Sequence, residues 1–175
     1  MIAGPRVRLW ALERFDISKN YQWGNDWELI SLTGMAPYPK STVDIERWYD
    51  SNLNNTTAKL FSVKTHEGEY IGNIELSAID WRVGKCELGL ILGEKNAWNQ
   101  GYGTEAVNAA VDFAFKEMRL HRVSAKVLAY NPRAQRCFEK CGFVREGVER
   151  QGFYLQGEFH DVVMFGRLKT DVKTT

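Results

Sequence analysis

The order of hydrophobic patterns along this chain predicts an α/β fold, with a mixed, mostly antiparallel sheet flanked by helices. Three extended segments come in quick succession, Lys59 to Thr65, Tyr70 to Asp80 and Gly84 to Leu92. They are joined by hairpin-length connections at Glu67-Gly68-Glu69 and Arg82-Val83-Gly84, which makes them antiparallel neighbours. A strand, glycine turn, helix, strand, helix, strand succession follows, and only its central crossover requires parallel strands. The 175 residues fit one domain, residues 1–175, with a core over about 6–169 and a short C-terminal tail.

The elements follow in order. Val7 to Leu12 reads as a first strand, and Asp16 to Trp27, polar with interleaved aromatics, as a helix. Met35 to Lys40 holds two prolines and is a loop. Ser41 and Thr42 offer N-caps to a helix running to about Leu53, and Asn54-Asn55-Thr56-Thr57 is turn material. Within Tyr70 to Asp80 the alternation puts Ile71, Asn73, Glu75 and Ser77 on one face and Ile74, Leu76 and Ala78 on the other. Val107, Val111, Phe115 and Met118, with Ala110 and Ala114, form an apolar stripe at helical spacing over Thr104 to Met118. Val123 to Ala129 is a strand. Asn131 then caps a helix with Pro132 at its first position, and Gly142 ends it. Phe143 to Glu149 and Phe159 to Leu168 are the last strands, around a turn containing Gln156-Gly157.

Composition narrows the function. Lysine plus arginine (23) nearly balances aspartate plus glutamate (22), which removes the electrostatic footprint of a nucleic-acid binder. No apolar run reaches bilayer-spanning length, and the N-terminus lacks the pattern of a signal peptide, so a cytoplasmic protein with no membrane partner is expected. Cys86, Cys137 and Cys141 are too few for a disulfide framework, and no histidine stands at metal-ligand spacing beside them; buried thiols and no metal are expected.

Trp98 to Ala106, W-N-Q-G-Y-G-T-E-A, is the most telling stretch. Gly101 and Gly103 stand between an apolar strand and an amphipathic helix, the arrangement that turns main-chain N–H groups toward a phosphate. The run also satisfies G-x-G-x-x-(G/A) of dinucleotide binders. However, it follows antiparallel-looking strands, and the next strand ends Leu128-Ala129-Tyr130 with no acid to hold a ribose. A Walker loop is absent from the sequence.

Trp98–Ala106, Leu120-His121-Arg122-Val123, Asn131-Pro132-Arg133-Ala134 and Glu139-Lys140-Cys141-Gly142-Phe143 occur in one order at close spacing. Together they resemble the GCN5-related N-acetyltransferases (GNAT), and within them the branch acting on ribosomal-protein N-termini and polyamines. Gly157-Glu158-Phe159-His160-Asp161-Val162 resembles that branch too. The resemblance runs from Val7-Arg8-Leu9-x-x-Leu12 to about Leu168. It implies a central parallel pair that splays apart, acetyl-coenzyme A as cosubstrate, and direct attack by an amine in a ternary complex. The diphosphate would rest on the amides of Gln100, Gly101, Tyr102, Gly103 and Thr104, the pantetheine arm would lie along Leu90, Ile91 and Leu92, and Asn131 would contact the cofactor. Trp98 stands where the family usually has Arg or Gln. A homodimer is in keeping with the family.

Acetylation requires a neutral amine, and an alkylamine of pKa ~10.4 is almost wholly charged at pH 7, so a general base is useful. Glu75 (N-I-E-L) and Glu87 (C-E-L-G-L) lie in strand-like apolar segments. Composition alone favours a solvent-facing role for such acids; the resemblance puts Glu87 first as base and Glu75 second, through a water. A main-chain N–H near Leu90 to Leu92 is the donor expected for the thioester oxygen. The family's proton-donating tyrosine is replaced by Phe138, which is expected to pack against cofactor or core. Water, ahead of Cys137 or Tyr130, is the expected substitute. His66, His121 and His160 lack sequence partners and read as structural.

In this superfamily the acceptor lies between the early helices and the last hairpin, which here carry Trp23, Trp27, Tyr38, Trp48, Tyr49, Phe153 and Tyr154. Asp26, Glu28 and Asp44 favour a cationic amine, while the acid-free loop Ser31 to Lys40 counts against a polyamine. A small-molecule or peptide amine is the expected partner. The competing reading, prompted by Phe138, is an acyl-coenzyme A binding or sensing module without turnover.

Overall fold

The computed structural model describes residues 1–171. The last of the expected tail, residues 172–175, lies outside the described residues. The elements are β1 (Ile2–Ala3), β2 (Val7–Ala11), α1 (Ile17–Gly24), α2 (Trp27–Thr33), α3 (Thr42–Leu53), β3 (Lys59–Thr65), β4 (Tyr70–Asp80), β5 (Lys85–Leu92), α4 (Tyr102–Lys116), β6 (Arg122–Leu128), α5 (Pro132–Lys140), β7 (Val144–Leu155) and β8 (Glu158–Leu168). Among the described residues they form an eight-stranded mixed sheet of order β1-β2-β3-β4-β5-β6-β8-β7.

Every neighbouring pair is antiparallel except β5–β6. That parallel ladder covers only Lys85↔Arg122, Cys86↔Val123 and Glu87↔Ser124. Beyond Glu87 the two strands part, although β4 stays paired to β5 as far as Leu92 and β8 stays paired to β6 as far as Leu128. The expected splay is therefore present, and it opens a V between Leu88–Leu92 and Ala125–Leu128.

α4 covers one face of the sheet. Its buried residues Ala106, Val107, Ala110, Val111, Ala114 and Phe115 pack with Val7, Leu9, Val63, Ile74, Leu76 and Leu88 in the main core. On the other face α1, α2 and α3 form a smaller core around Trp23, Leu29, Ile45, Tyr49 and Tyr70.

Four expectations need correction. Ala78 does not share the buried face of Ile74 and Leu76: the β4–β5 register shifts between Ser77 and Asp80, Ala78 is exposed, and Ile79 takes the core position. The segment Asp16 to Trp27 is not one helix. α1 ends at Gly24, and the Asp26 carboxylate accepts from the N–H groups of Glu28 and Leu29 (3.0 and 3.3 Å), which starts α2. α2 takes in Ser31 to Thr33, expected as loop, and stops where Gly34 adopts φ 73°. Ile71 does not share a face with Glu75. Register passes from Val63↔Gly72 to Lys64↔Tyr70, so Ile71 is the extra residue of a β-bulge. It packs with Ile74 and Leu76 in the main core, while Tyr70 turns to the helical-cap side. Finally, β7 runs past Glu149 to Leu155 through a second irregularity between Glu149 and Phe153.

Candidate active site

The V between β5 and β6 opens into a cavity of about 1170 Å³ that reaches from the first turn of α4 to the α1–α3 cap. Glu75, Glu87, Leu90, Ile91, Leu92, Gly101, Gly103, Thr104, Asn131 and Phe138 all line it. Of the residues expected from sequence to hold the cofactor, Gln100 and Tyr102 do not. The Gln100 side chain folds back onto the Asn96 carbonyl, and the Tyr102 ring lies 5.0 Å beneath the Arg6 guanidinium.

At one end of the cavity the main chain dominates. Gly101 caps α4 at φ 87°, in the left-handed region that favours glycine. The N–H groups of Tyr102, Gly103 and Thr104, in the first turn of α4, lack intrahelical partners, so this turn is an anion site in waiting. A Cβ on Gly103 would lie 3.3 Å from Leu90, 3.5 Å from Leu92 and 3.6 Å from the Cys137 sulfur. The glycine thus lets α4, β5 and α5 converge. Trp98 donates its indole N–H to the Leu92 carbonyl (2.8 Å) and carries the Arg133 guanidinium 3.7 Å above its ring. Asn131 is 6% exposed and its amide is occupied: Oδ1 accepts from the Ala134 N–H (3.1 Å), and Nδ2 donates to the Leu32 carbonyl (3.0 Å). It caps α5 and ties it to α2.

Midway lie the two carboxylates. Glu75 stands opposite Gly89 in the β4–β5 ladder, and Glu87 opposite Ser77. The glutamates are therefore diagonal neighbours on one face, at a spacing of roughly 7–8 Å. Gly89 between them has nothing within 4 Å of where a Cβ would be, so it leaves an open notch. Its placement was missed from sequence, although a glycine inside a strand often marks a close approach by another group. Burial lifts the Glu75 carboxyl above the usual carboxylate range.

At the far end side chains dominate. Trp23, Met35, Tyr38, Trp48, Leu60 and Phe153 line the cavity, with Phe153 packed 3.7 Å from the Cβ position of Gly34. Trp27, Tyr49 and Tyr154 do not line it: Tyr49 is in the smaller core, and Tyr154 packs on Phe159 in a tilted ring pair. Asn20, Tyr70 and Asn73 form a hydrogen-bonded ring at the cavity wall. Asp26 and Glu28 pair with Lys95. Asp44 lines the cavity but is hydrogen-bonded to Ser41 in the α3 capping box. Glu149, on β7, lines it as well.

Phe138 is buried and packs on Phe143 and Phe165 at 5.1 and 6.1 Å. Tyr130 donates its hydroxyl to the Ser31 carbonyl (2.6 Å), and it does not line the cavity. Cys137 does line it. Its hydrogen bond with Cys141, and then that with Thr104, outweigh burial and hold its thiol below the usual range.

Residues 6–144 match the acetyltransferase (GNAT) domain family. The chain belongs to that family. This N-acetyltransferase is 28% identical over 157 residues to the spermidine N(1)-acetyltransferase of Vibrio cholerae, covering 90% of each chain. It is 31% identical over 128 residues to the putative ribosomal N-acetyltransferase YdaF of Bacillus subtilis, covering 73% of this chain and 67% of that one. The crystal structure of the Vibrio cholerae spermidine N-acetyltransferase in complex with CoA and spermine superposes with a TM-score of 0.89 at 27% identity, covering 95% of this chain and 97% of that one. Among the described residues of this acetyltransferase, no helix is long and apolar enough to cross a membrane.

Proposed function

We propose that this acetyltransferase takes acetyl from acetyl-coenzyme A and transfers it to a cationic primary amine bound over Gly89, with Glu75 as the general base. The observation that carries this reading is the notch at Gly89, flanked by two carboxylates and opening into the V of the sheet. The fit to the cosubstrate is supported by the glycine turn at α4 and by the length of β5 that lacks a β6 partner. Gly101, Gly103 and Thr104 would receive the diphosphate, together with the amides of Gln100 and Tyr102, and Leu90, Ile91 and Leu92 would flank the pantetheine arm. When bound, acetyl-coenzyme A supplies an activated acyl group with a thiolate as leaving group.

The chain's own residues would do the rest. Glu87 and Glu75 draw the ammonium group into the notch. Glu75, whose pKa burial raises, takes the proton that must leave before nitrogen can attack. This reverses the order expected from sequence, because burial raises Glu75. A main-chain N–H on the edge of β5 that β6 leaves open donates to the carbonyl oxygen as charge develops there. With Phe138 in the core and Tyr130 committed to Ser31, the thiolate is protonated by water.

Polyamines stand first among acceptors. The acid-free loop had counted against them, yet the cavity draws its acids from other elements: Asp44 on α3, Glu75 on β4, Glu87 on β5 and Glu149 on β7. The Vibrio cholerae structure with CoA and spermine supports the same class. Thiol release from acetyl-coenzyme A, followed over a panel of spermidine, spermine, aminoglycosides, amino sugars and peptide N-termini, tests both steps. Spermidine and spermine are expected to lead. Tight binding of coenzyme A with no thiol released by any amine would instead favour the binding module.

A further inference from the structure

The glycine turn has a partner that no motif contains. Arg6, in the bend just before β2, reaches the first turn of α4 across 99 residues of sequence. Its main-chain N–H donates to Glu105 Oε2 (2.8 Å), its Nε donates to Glu105 Oε1 (2.5 Å), and its terminal nitrogen completes an ion pair with the same carboxylate. The guanidinium plane lies 5.0 Å over the Tyr102 ring. Its Nη2 is 2.8 Å from where a Cβ on Gly101 would be. Arg6 is therefore wedged against the residues that open α4.

The charge balance there is awkward without it. Glu105 is acidic and lies in the first turn of α4, where a carboxylate suits the helix dipole but repels any phosphate held by the same turn. Its side chain is 17% exposed, so water screens it poorly, whereas that of Arg6 is 51% exposed. The antiparallel run β2-β3-β4-β5 brings the start of β2 to the sheet end where β5 stops and the turn begins. The juxtaposition thus follows from topology.

The geometry points to Arg6 as a positioning residue of the diphosphate site: it neutralises Glu105 and braces the Gly101–Tyr102 turn, so that the turn presents its amides to an uncompensated diphosphate. This assignment rests on the acetyl-transfer reading above. It is independent of the acceptor, and it separates the nucleotide half of the donor from its acyl arm.

Two donors test it, acetyl-coenzyme A and acetyl-pantetheine, which lacks the nucleotide and diphosphate. Arg6→Gln should raise KM for acetyl-coenzyme A roughly five- to tenfold with kcat preserved, and should leave KM for acetyl-pantetheine where it was. The same rise should appear with the dephospho form of acetyl-coenzyme A, which keeps the diphosphate but not the ribose phosphate. Adding Glu105→Gln to Arg6→Gln should return most of the loss, because the uncompensated carboxylate is then gone. Arg6→Lys, which keeps the charge without the fork, should fall between. An unchanged KM for acetyl-coenzyme A, or equal rises for the two donors, would overturn the assignment. So would a loss confined to the donor carrying the ribose phosphate, or a double variant as weak as Arg6→Gln. A wild-type chain inactive with both donors would overturn the acetyl-transfer reading and this assignment with it. A wild-type chain active with both but unmoved by Arg6→Gln would overturn Arg6 alone.

Discussion

The two ends of the cavity are made of different material. Around the first turn of α4 the lining is main chain, with glycines that let helix and strand approach and a strand edge that β6 has abandoned. Around α1–α3 and the β7–β8 hairpin the lining is large side chains from elements far apart in sequence. Main-chain geometry needs few particular residues, and those few are adjacent, so it leaves a compact motif. Side-chain lining needs several residues on separate elements, and each can change without disturbing its neighbours. On the proposed function, the first end would hold the cosubstrate and the second the acceptor amine.

The sharpest test of this contrast lies where the two ends meet. Glu75→Gln should lower kcat by about 10²–10⁴, the usual contribution of a positioned base. A base acts deprotonated. Burial raises the Glu75 pKa, so the wild-type rate should fall as pH drops through a value above that of an ordinary glutamate, and that limb should vanish in Glu75→Gln. Rate profiles against pH measure it. Disappearance of the limb in Glu87→Gln instead would transfer the role to Glu87.

Next in size is the main-chain end. Gly101→Val imposes a β-branched residue at φ 87° and drives its Cβ into Arg6. Calorimetric affinity for coenzyme A should drop by roughly 30- to 100-fold, about 2–3 kcal/mol, while any acceptor binding seen without cofactor stays as it was. Equal weakening of both ligands would mean that the turn supports the whole cavity.

Gly89→Val is the mirror experiment. Open space surrounds that Cβ, so the melting temperature should hold, because valine suits a strand. The acceptor KM should rise about tenfold as the notch fills, with coenzyme A affinity unchanged. An unaltered acceptor KM would remove the amine from this position.

The smallest effect is expected from Tyr130→Phe, which removes the hydrogen bond to Ser31 that fastens the end of β6 to α2. Stability should fall by about 0.5–1.5 kcal/mol, read by denaturant unfolding, with acceptor KM shifting by less than donor KM shifts in Gly101→Val.

The same contrast governs what the sequence discloses. The strands β3, β4 and β5, the α3 cap at Ser41, the α5 cap at Asn131 and the glycine turn were legible because each is decided by residues next to one another. The splay of β5 from β6 came only through family resemblance, since no local pattern encodes a strand that stops pairing after Glu87. The division of α1 from α2 was signalled by Asp26 and Gly34 but hidden beneath a continuous run of aromatic and polar residues. The Gly89 notch was hinted at only by a glycine inside a strand, and the reach of Arg6 to Glu105 was invisible, because both exist only once distant segments are brought alongside each other.

The bulge at Ile71 has an implication for redesign. One surplus residue reverses which way β4 looks from Gly72 to Ser77, so the strand serves the interior at Ile71 and Ile74 yet still directs Asn73 and Glu75 toward the cavity. Excising that residue would leave hydrophobicity and length almost untouched while exchanging the strand's two sides over part of its length. Grafts of acceptor loops between relatives should therefore be aligned on this kink, since an offset of one position there would point the proposed base away from its amine.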